Sequence, residues 1–165
     1  MIGKTDERKA RVGLKVGDRA PAIALAVAGG GRIDPATLAG RKVVLFFYPK
    51  ADTTACTQEA TDFTALAADF AAAGATVIGI SRDPVKALDR FAAKHGLGVI
   101  LASDEDGATV EAYGVWVEKS MYGRRFMGIE RTTVLIDAEG RIARIWPKVK
   151  VKGHAAEVLE AVRAP

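Results

Sequence analysis

The run Val43-Val44-Leu45-Phe46-Phe47-Tyr48 is apolar or aromatic at every position and stops at Pro49, and it constrains the fold more than any other stretch of the chain. A strand with one wet face alternates apolar and polar residues, so a strand without alternation is covered on both faces, as in the centre of an α/β sheet. After the proline the character changes. Lys50-Ala51-Asp52-Thr53 is a polar link, and from Cys56 to Ala73 the residues Phe63, Leu66, Ala67 and Phe70 recur at helical spacing until Gly74 stops the pattern. Thr76 to Ile80 reads as a second buried strand, closed by Ser81-Arg82-Asp83-Pro84. Val85 to His95 reads as a second amphipathic helix, with Pro84 near its first turn and Gly96 just past its end. Strand, helix, strand, helix in this order predicts parallel strands joined by crossover helices.

The second half continues in the same manner. Val99 to Ala102 is a short strand, Asp104 to Gly107 a turn, and Ala108 to Tyr113 a short helix. Thr132 to Ile136 and Arg141 to Trp146 are strands joined by Asp137-Ala138-Glu139-Gly140, a hairpin signal because Gly140 accepts the positive φ such a turn needs. His154 to Arg163 is a closing helix, and Gly29-Gly30-Gly31 is a hairpin tip near the start. With 165 residues, 49% hydrophobic and 27% charged, the expectation is one domain over residues 14–165 behind a flexible leader, residues 1–13. A domain of that size buries about 70% of the surface its unfolded chain exposes and needs no staples.

Several functions are excluded by what the chain lacks. No apolar stretch approaches the roughly 20 residues that cross a bilayer, and the first residues carry no apolar core of an export signal, so a cytoplasmic protein without membrane contact is expected. The net charge of +4 comes from basic residues spread along the chain, densest at Lys4 to Arg11 and Lys148 to Lys152 and without interleaved aromatics, so no nucleic acid partner is expected. The triple glycine lacks the Lys-Ser/Thr of a phosphate loop, and Asp104-Glu105-Asp106 is too short for a calcium loop. His95 and His154 belong to no spaced set of ligands. Neither metal nor cofactor is expected.

What remains is Cys56, the single cysteine. A lone cysteine is by default a small buried hydrophobe. This one follows a polar loop and falls in the first turn of a predicted helix, where free N–H groups and the positive end of the dipole favour a thiolate. Thr53, three residues upstream, is an N-cap candidate whose hydroxyl also comes within reach of whatever the sulfur attacks. No Cys-x-x-Cys is present, so any redox cycle must be completed by an outside thiol.

Pro49-x-x-x-Thr53-x-x-Cys56 resembles the active-site signature of the peroxiredoxins, in particular their bacterioferritin-comigratory or Q-type branch. Leu14-Lys15-Val16-Gly17-Asp18-Arg19-Ala20-Pro21 is similar to that family's opening segment, and Tyr122 to Thr133 to the segment that delivers its active-site arginine, here Arg131. The likeness spans about residues 14 to 163. It implies a thioredoxin-like α/β fold with a central mixed sheet flanked by helices, and a peroxidase for hydrogen peroxide and organic hydroperoxides. On that resemblance Cys56 is the peroxidatic cysteine, oxidised to a sulfenic acid. An ordinary cysteine, with a pKa of about 8.5, is only about 3% thiolate at pH 7, and Arg131 would favour the charged form and hold the peroxide oxygens. Thr53 would orient the O–O bond, Pro49 would shape the loop and shield the sulfur, and Glu59 would orient Arg131. Tyr48 and Phe126 would complete the substrate pocket.

The chain departs from the Q-type pattern at Thr61, where many members carry a resolving cysteine, and at Thr54-Ala55, where Pro-Gly is common. The implied mechanism therefore uses one cysteine, with thioredoxin, glutaredoxin or glutathione as the outside reductant and a monomer or homodimer as the working form. Two rival readings stand beside it at this level: a thiol transferase acting through mixed disulfides, and an interaction or chaperone-like protein with an inert cysteine.

Overall fold

The computed structural model describes residues 14–164, so the expected leader, residues 1–13, lies outside the described residues. In chain order the elements are β1 Leu25–Val27, β2 Arg32–Ile33, α1 Pro35–Leu38, β3 Lys42–Phe47, α2 Thr54–Ala65, α3 Ala67–Ala72, β4 Ala75–Ser81 and α4 Val85–His95. Then come β5 Ile100–Ser103, α5 Ala108–Ala112, β6 Trp116–Met121, β7 Arg124–Ile129, β8 Thr132–Ile136, β9 Ile142–Trp146 and α6 His154–Arg163. Seven strands form one mixed sheet in the order β2-β1-β5-β4-β3-β8-β9, and β6 pairs with β7 in a separate hairpin. β3 lies parallel to β4, with Leu45 opposite Ile78, and antiparallel to β8, with Leu45 opposite Val134.

The unbroken apolar run of β3 follows from this central place. Successive side chains point to opposite faces of a strand. Val44, Phe46 and Tyr48 enter a core with Cys56, Phe63, Phe91 and Val158, whereas Val43, Leu45 and Phe47 enter another with Ile80, Val110, Tyr113 and Val134. Phe46 leans across to β4 so closely that a Cβ on Gly79 would sit 2.5 Å from its ring, and only glycine fits there. The site is therefore built on a strand whose end is fixed by packing from both sides.

One expectation needs correction here. The helix expected over Cys56 to Ala73 starts earlier, at Thr54, and is broken at Leu66, whose φ of −103° and ψ of 8° leave the helical region. Leu66 N–H donates to Phe63 O at 3.2 Å, a tightened last turn, and the bend sets Phe70 against Phe63 with ring centres 5.7 Å apart. Apolar spacing carries through such a break unchanged, which is why it was invisible.

The β6–β7 hairpin is also absent from the sequence reading. Glu118, Lys119, Arg124 and Arg125 interrupt its apolar pattern, and most of β7 is exposed. Tyr122 and Gly123 turn it with φ of 53° and 77°, the two positive values a two-residue turn needs. A Tyr-Gly turn lacks the usual asparagine or aspartate in the first place.

Candidate active site

Cys56 is the third residue of α2, immediately beyond the end of β3 and the link of residues 48–53. Thr57 N–H makes the bond to Thr53 O at 2.8 Å, so the amides of Thr54, Ala55 and Cys56 precede the helical ladder. Thr53 occupies the N-cap position with extended backbone, yet its hydroxyl makes no cap bond and instead donates to Lys50 O at 2.8 Å. The free ends of these amides and the unused lone pairs of that hydroxyl lie on the same short segment as the sulfur.

The link itself is pinned from two directions. Ala51 N–H donates to Asp83 Oδ2 at 2.8 Å, and Ser81 Oγ donates to the same oxygen at 2.7 Å, tying the loop to the end of β4. Asp52 has a φ of 63°, and its carboxylate takes Lys94 Nζ at 2.9 Å and lies 2.8 Å from His95 Nε2 at the end of α4. These anchors were not singled out in the sequence. The signal available was Ser81-Arg82-Asp83-Pro84 directly after a buried strand, at the carboxyl edge where α/β sheets place their sites.

Arg131 arrives from the short link between β7 and β8. Its Nη1 donates to Glu59 Oε1 at 2.7 Å and its Nη2 to Cys56 Sγ at 3.4 Å, so one planar guanidinium spans two residues a helical turn apart on α2. Cys56 and Glu59 are each 1% exposed, whereas the Arg131 side chain is 16% exposed. The cation is thus the member of the trio that meets solvent.

Burial pushes the Glu59 carboxyl up to about 7 against the pull of Arg131, and its Oε2 has no hydrogen-bond partner among the described residues. Burial also opposes the Arg131 charge, but the Cys56 sulfur and Glu59 together outweigh it and push that pKa up.

The structure brings Cys56, Arg131 and Glu59 into contact and sets Thr53 at the same helix end. It does not set Tyr48 at an open pocket. Tyr48 is wholly buried, stacked on Phe46 with ring centres 5.6 Å apart, because the two-residue period of β3 carries it inward. Its hydroxyl has no hydrogen-bond partner among the described residues, and burial, with the charges of Asp83, Cys56 and Glu59, pushes its pKa up. The expectation that Tyr48 lines the substrate pocket is therefore corrected: it backs the site from the core. Pro49 is itself exposed, and Phe126 is 44% exposed on β7, opposite Lys119. Among the described residues no helix is long and apolar enough to cross a membrane.

The model of the AhpC/TSA family matches residues 16–145. The chain is 46% identical over 142 residues to peroxiredoxin Bcp of Xanthomonas campestris, covering 86% of this chain and 89% of that one. It is 40% identical over 150 residues to peroxiredoxin Bcp of Bacillus subtilis, covering 91% and 96%. A solved structure of the Xanthomonas campestris bacterioferritin comigratory protein, described in connection with its alkyl peroxide reduction activity, superposes with a TM-score of 0.83 at 42% identity, over 92% of this chain and 97% of that one.

Proposed function

The chain belongs to the AhpC/TSA family and is a thiol-dependent peroxidase of the peroxiredoxin type, and from that premise we propose that Cys56 is its nucleophile, that Arg131, Glu59 and Thr53 arrange the peroxide, and that an outside thiol completes the cycle. The observation that carries this reading is the guanidinium held 3.4 Å from the sulfur by a buried carboxylate at 2.7 Å. An inert thiol or a simple mixed-disulfide carrier would leave Arg131 and Glu59 without a task.

The Cys56 thiolate attacks the terminal oxygen of a hydroperoxide. An S–O bond forms as the O–O bond breaks; sulfur loses two electrons, and the leaving oxygen takes them and a proton to become water or an alcohol. Negative charge moves from sulfur to the leaving oxygen during this step, and Arg131, already positioned, offers its N–H groups to both. Thr53 has spent its hydroxyl proton on Lys50 O, so it accepts from the peroxide O–H and aligns the O–O bond with the sulfur. Glu59 acts through Arg131, fixing the plane of the guanidinium.

The product is a sulfenic acid with no second cysteine in the chain to capture it. One outside thiol displaces its oxygen as water and forms a mixed disulfide; a second releases the Cys56 thiol and leaves as the oxidised reductant. Thioredoxin, glutaredoxin and glutathione all supply that chemistry, and hydrogen peroxide and organic hydroperoxides both supply the oxygen.

Intact-mass analysis after peroxide treatment tests the assignment. The wild-type chain gains oxygen at Cys56 and consumes peroxide when a thiol is supplied, whereas Cys56→Ser does neither. Full peroxide turnover by Cys56→Ser would refute the reading.

A further inference from the structure

The peptide unit between Lys50 and Ala51 carries two hydrogen bonds beside the sulfur at once. Its N–H, on Ala51, donates to Asp83 Oδ2 at 2.8 Å, and its carbonyl, on Lys50, accepts the Thr53 hydroxyl proton at 2.8 Å. A trans peptide unit is planar, so its N–H and C=O point in opposite directions and cannot turn independently. Whatever fixes the Ala51 N–H therefore also fixes the oxygen that takes the Thr53 proton.

Asp83, in the link from β4 to α4, is held so as to do this. Tyr48 N–H still donates to Ile80 O at 3.1 Å, but Pro49 has no N–H with which to continue the pairing of β3 with β4. Two residues past the proline, Ala51 returns to the same neighbour through the Asp83 side chain. Ser81, the wholly buried last residue of β4, aims that carboxylate: its Oγ donates to the same Oδ2 at 2.7 Å and accepts from Asp83 N–H at 3.3 Å. From β5, Ser103 Oγ donates to Asp83 O at 2.7 Å, so backbone and side chain are both tied.

We propose that Asp83 is a positioning residue for the peroxide step, acting through the Lys50–Ala51 peptide to keep the Thr53 proton on Lys50 O and the Thr53 lone pairs turned to the substrate. The proposal rests on the reading of Thr53 as acceptor of the peroxide O–H. Without the bond to Asp83 the peptide can rotate, Lys50 O leaves the hydroxyl, and the hydroxyl no longer has one orientation. Hydrogen bonds in series also polarise one another. A carboxylate on the N–H makes the carbonyl a better acceptor, and the hydroxyl that donates to that carbonyl becomes a better acceptor in turn.

The test is a double-mutant cycle on the rate of Cys56 oxidation by hydrogen peroxide, with alkylation of Cys56 by iodoacetamide measured in parallel. Asp83→Ala slows oxidation about tenfold, whereas Asp83→Asn, whose side-chain carbonyl can accept the same two bonds, stays within about threefold of wild type. In a Thr53→Val background, itself slowed, Asp83→Ala changes the rate by less than about twofold, because the hydroxyl it arranges is gone. Iodoacetamide carries no peroxide O–H for Thr53 to accept, so alkylation of Asp83→Ala stays within about twofold of wild type. Ser81→Ala removes only the hydroxyl that aims the carboxylate; it gives a smaller loss with the same dependence on Thr53, and it decides the matter if Asp83→Ala does not fold. Equal losses in the two backgrounds, or alkylation slowed as much as oxidation, mean a loop that is merely loosened and overturn the proposal. Oxidation of Thr53→Val at the wild-type rate would instead refute the acceptor role of Thr53, and this proposal with it, while Cys56 as nucleophile still stands.

Discussion

Two strand-to-helix junctions at the same edge of the sheet end in opposite ways. Where β5 passes to α5, every first-turn amide is occupied: Ala108 N–H by Asp106 Oδ1 at 2.9 Å, Thr109 by Asp104 Oδ1 at 3.1 Å, and Val110 by Asp104 Oδ2 at 2.7 Å. Where β3 passes to α2, the cap residue Thr53 turns its hydroxyl away, and no side-chain carboxylate takes the corresponding amides. A buried aspartate completes α5; at α2 the cap residue leaves the amides untaken, and the sulfur, with Arg131 on it, lies in the first turn. Stability that a cap contributes, typically about 1 kcal/mol, is forgone at the junction that must receive a negative charge from elsewhere.

Exchanging the two designs breaks the comparison most severely. Thr53→Asp gives α2 a capping carboxylate, so the melting temperature is retained or rises slightly while peroxide-driven oxidation of Cys56 slows by about a hundredfold or more, because a fixed anion now competes with the thiolate for the same amides and repels it. Rapid-mixing kinetics beside a thermal melt checks both halves. Asp104→Ala does the reverse: unfolding free energy drops by about 1–3 kcal/mol in denaturant titrations, and the oxidation rate of the folded fraction stays within about twofold of wild type.

A subtler effect concerns Glu59. Its folded pKa of about 7 lies above the ordinary carboxyl value near 4.5, so the folded state holds the proton more tightly. That contribution to stability is complete below about pH 4.5 and is lost as pH rises through about 7. Glu59→Gln removes this contribution, so the melting temperature of wild type falls relative to that of the variant as pH is raised from 4.5 to 7.5. Buried His154, whose Nε2 lies 2.8 Å from Thr133 Oγ1, serves as an internal control of opposite sign: burial lowers its pKa, so it costs stability as pH falls below about 6.5, and Glu59→Gln leaves that loss in place.

Elements with both a period and punctuation were legible from residues alone. Val85–His95 and His154–Arg163 match at both ends, since Pro84 and Gly96 bracket the first, Gly153 precedes the second, and a repeating apolar face marks both independently of tertiary contacts. Cys56 at a helix start followed from Pro49 and the polar link. Its meeting with Arg131, 75 residues on, did not follow from spacing; it came from the resemblance of the Tyr122–Thr133 segment, because proximity across β3 and β8 is set by sheet order. Tyr48 was misplaced because its inward direction depends on the pleat of β3 rather than on its neighbours in sequence.

The most direct measurement is the second-order rate of Cys56 oxidation by hydrogen peroxide at neutral pH in Arg131→Ala, followed by intact mass against wild type. Loss of the guanidinium from its place beside the sulfur predicts a fall of about a hundredfold or more in a chain that still folds. A rate within about threefold of wild type would contradict the assignment of Arg131 as the group that makes this thiol a peroxide nucleophile.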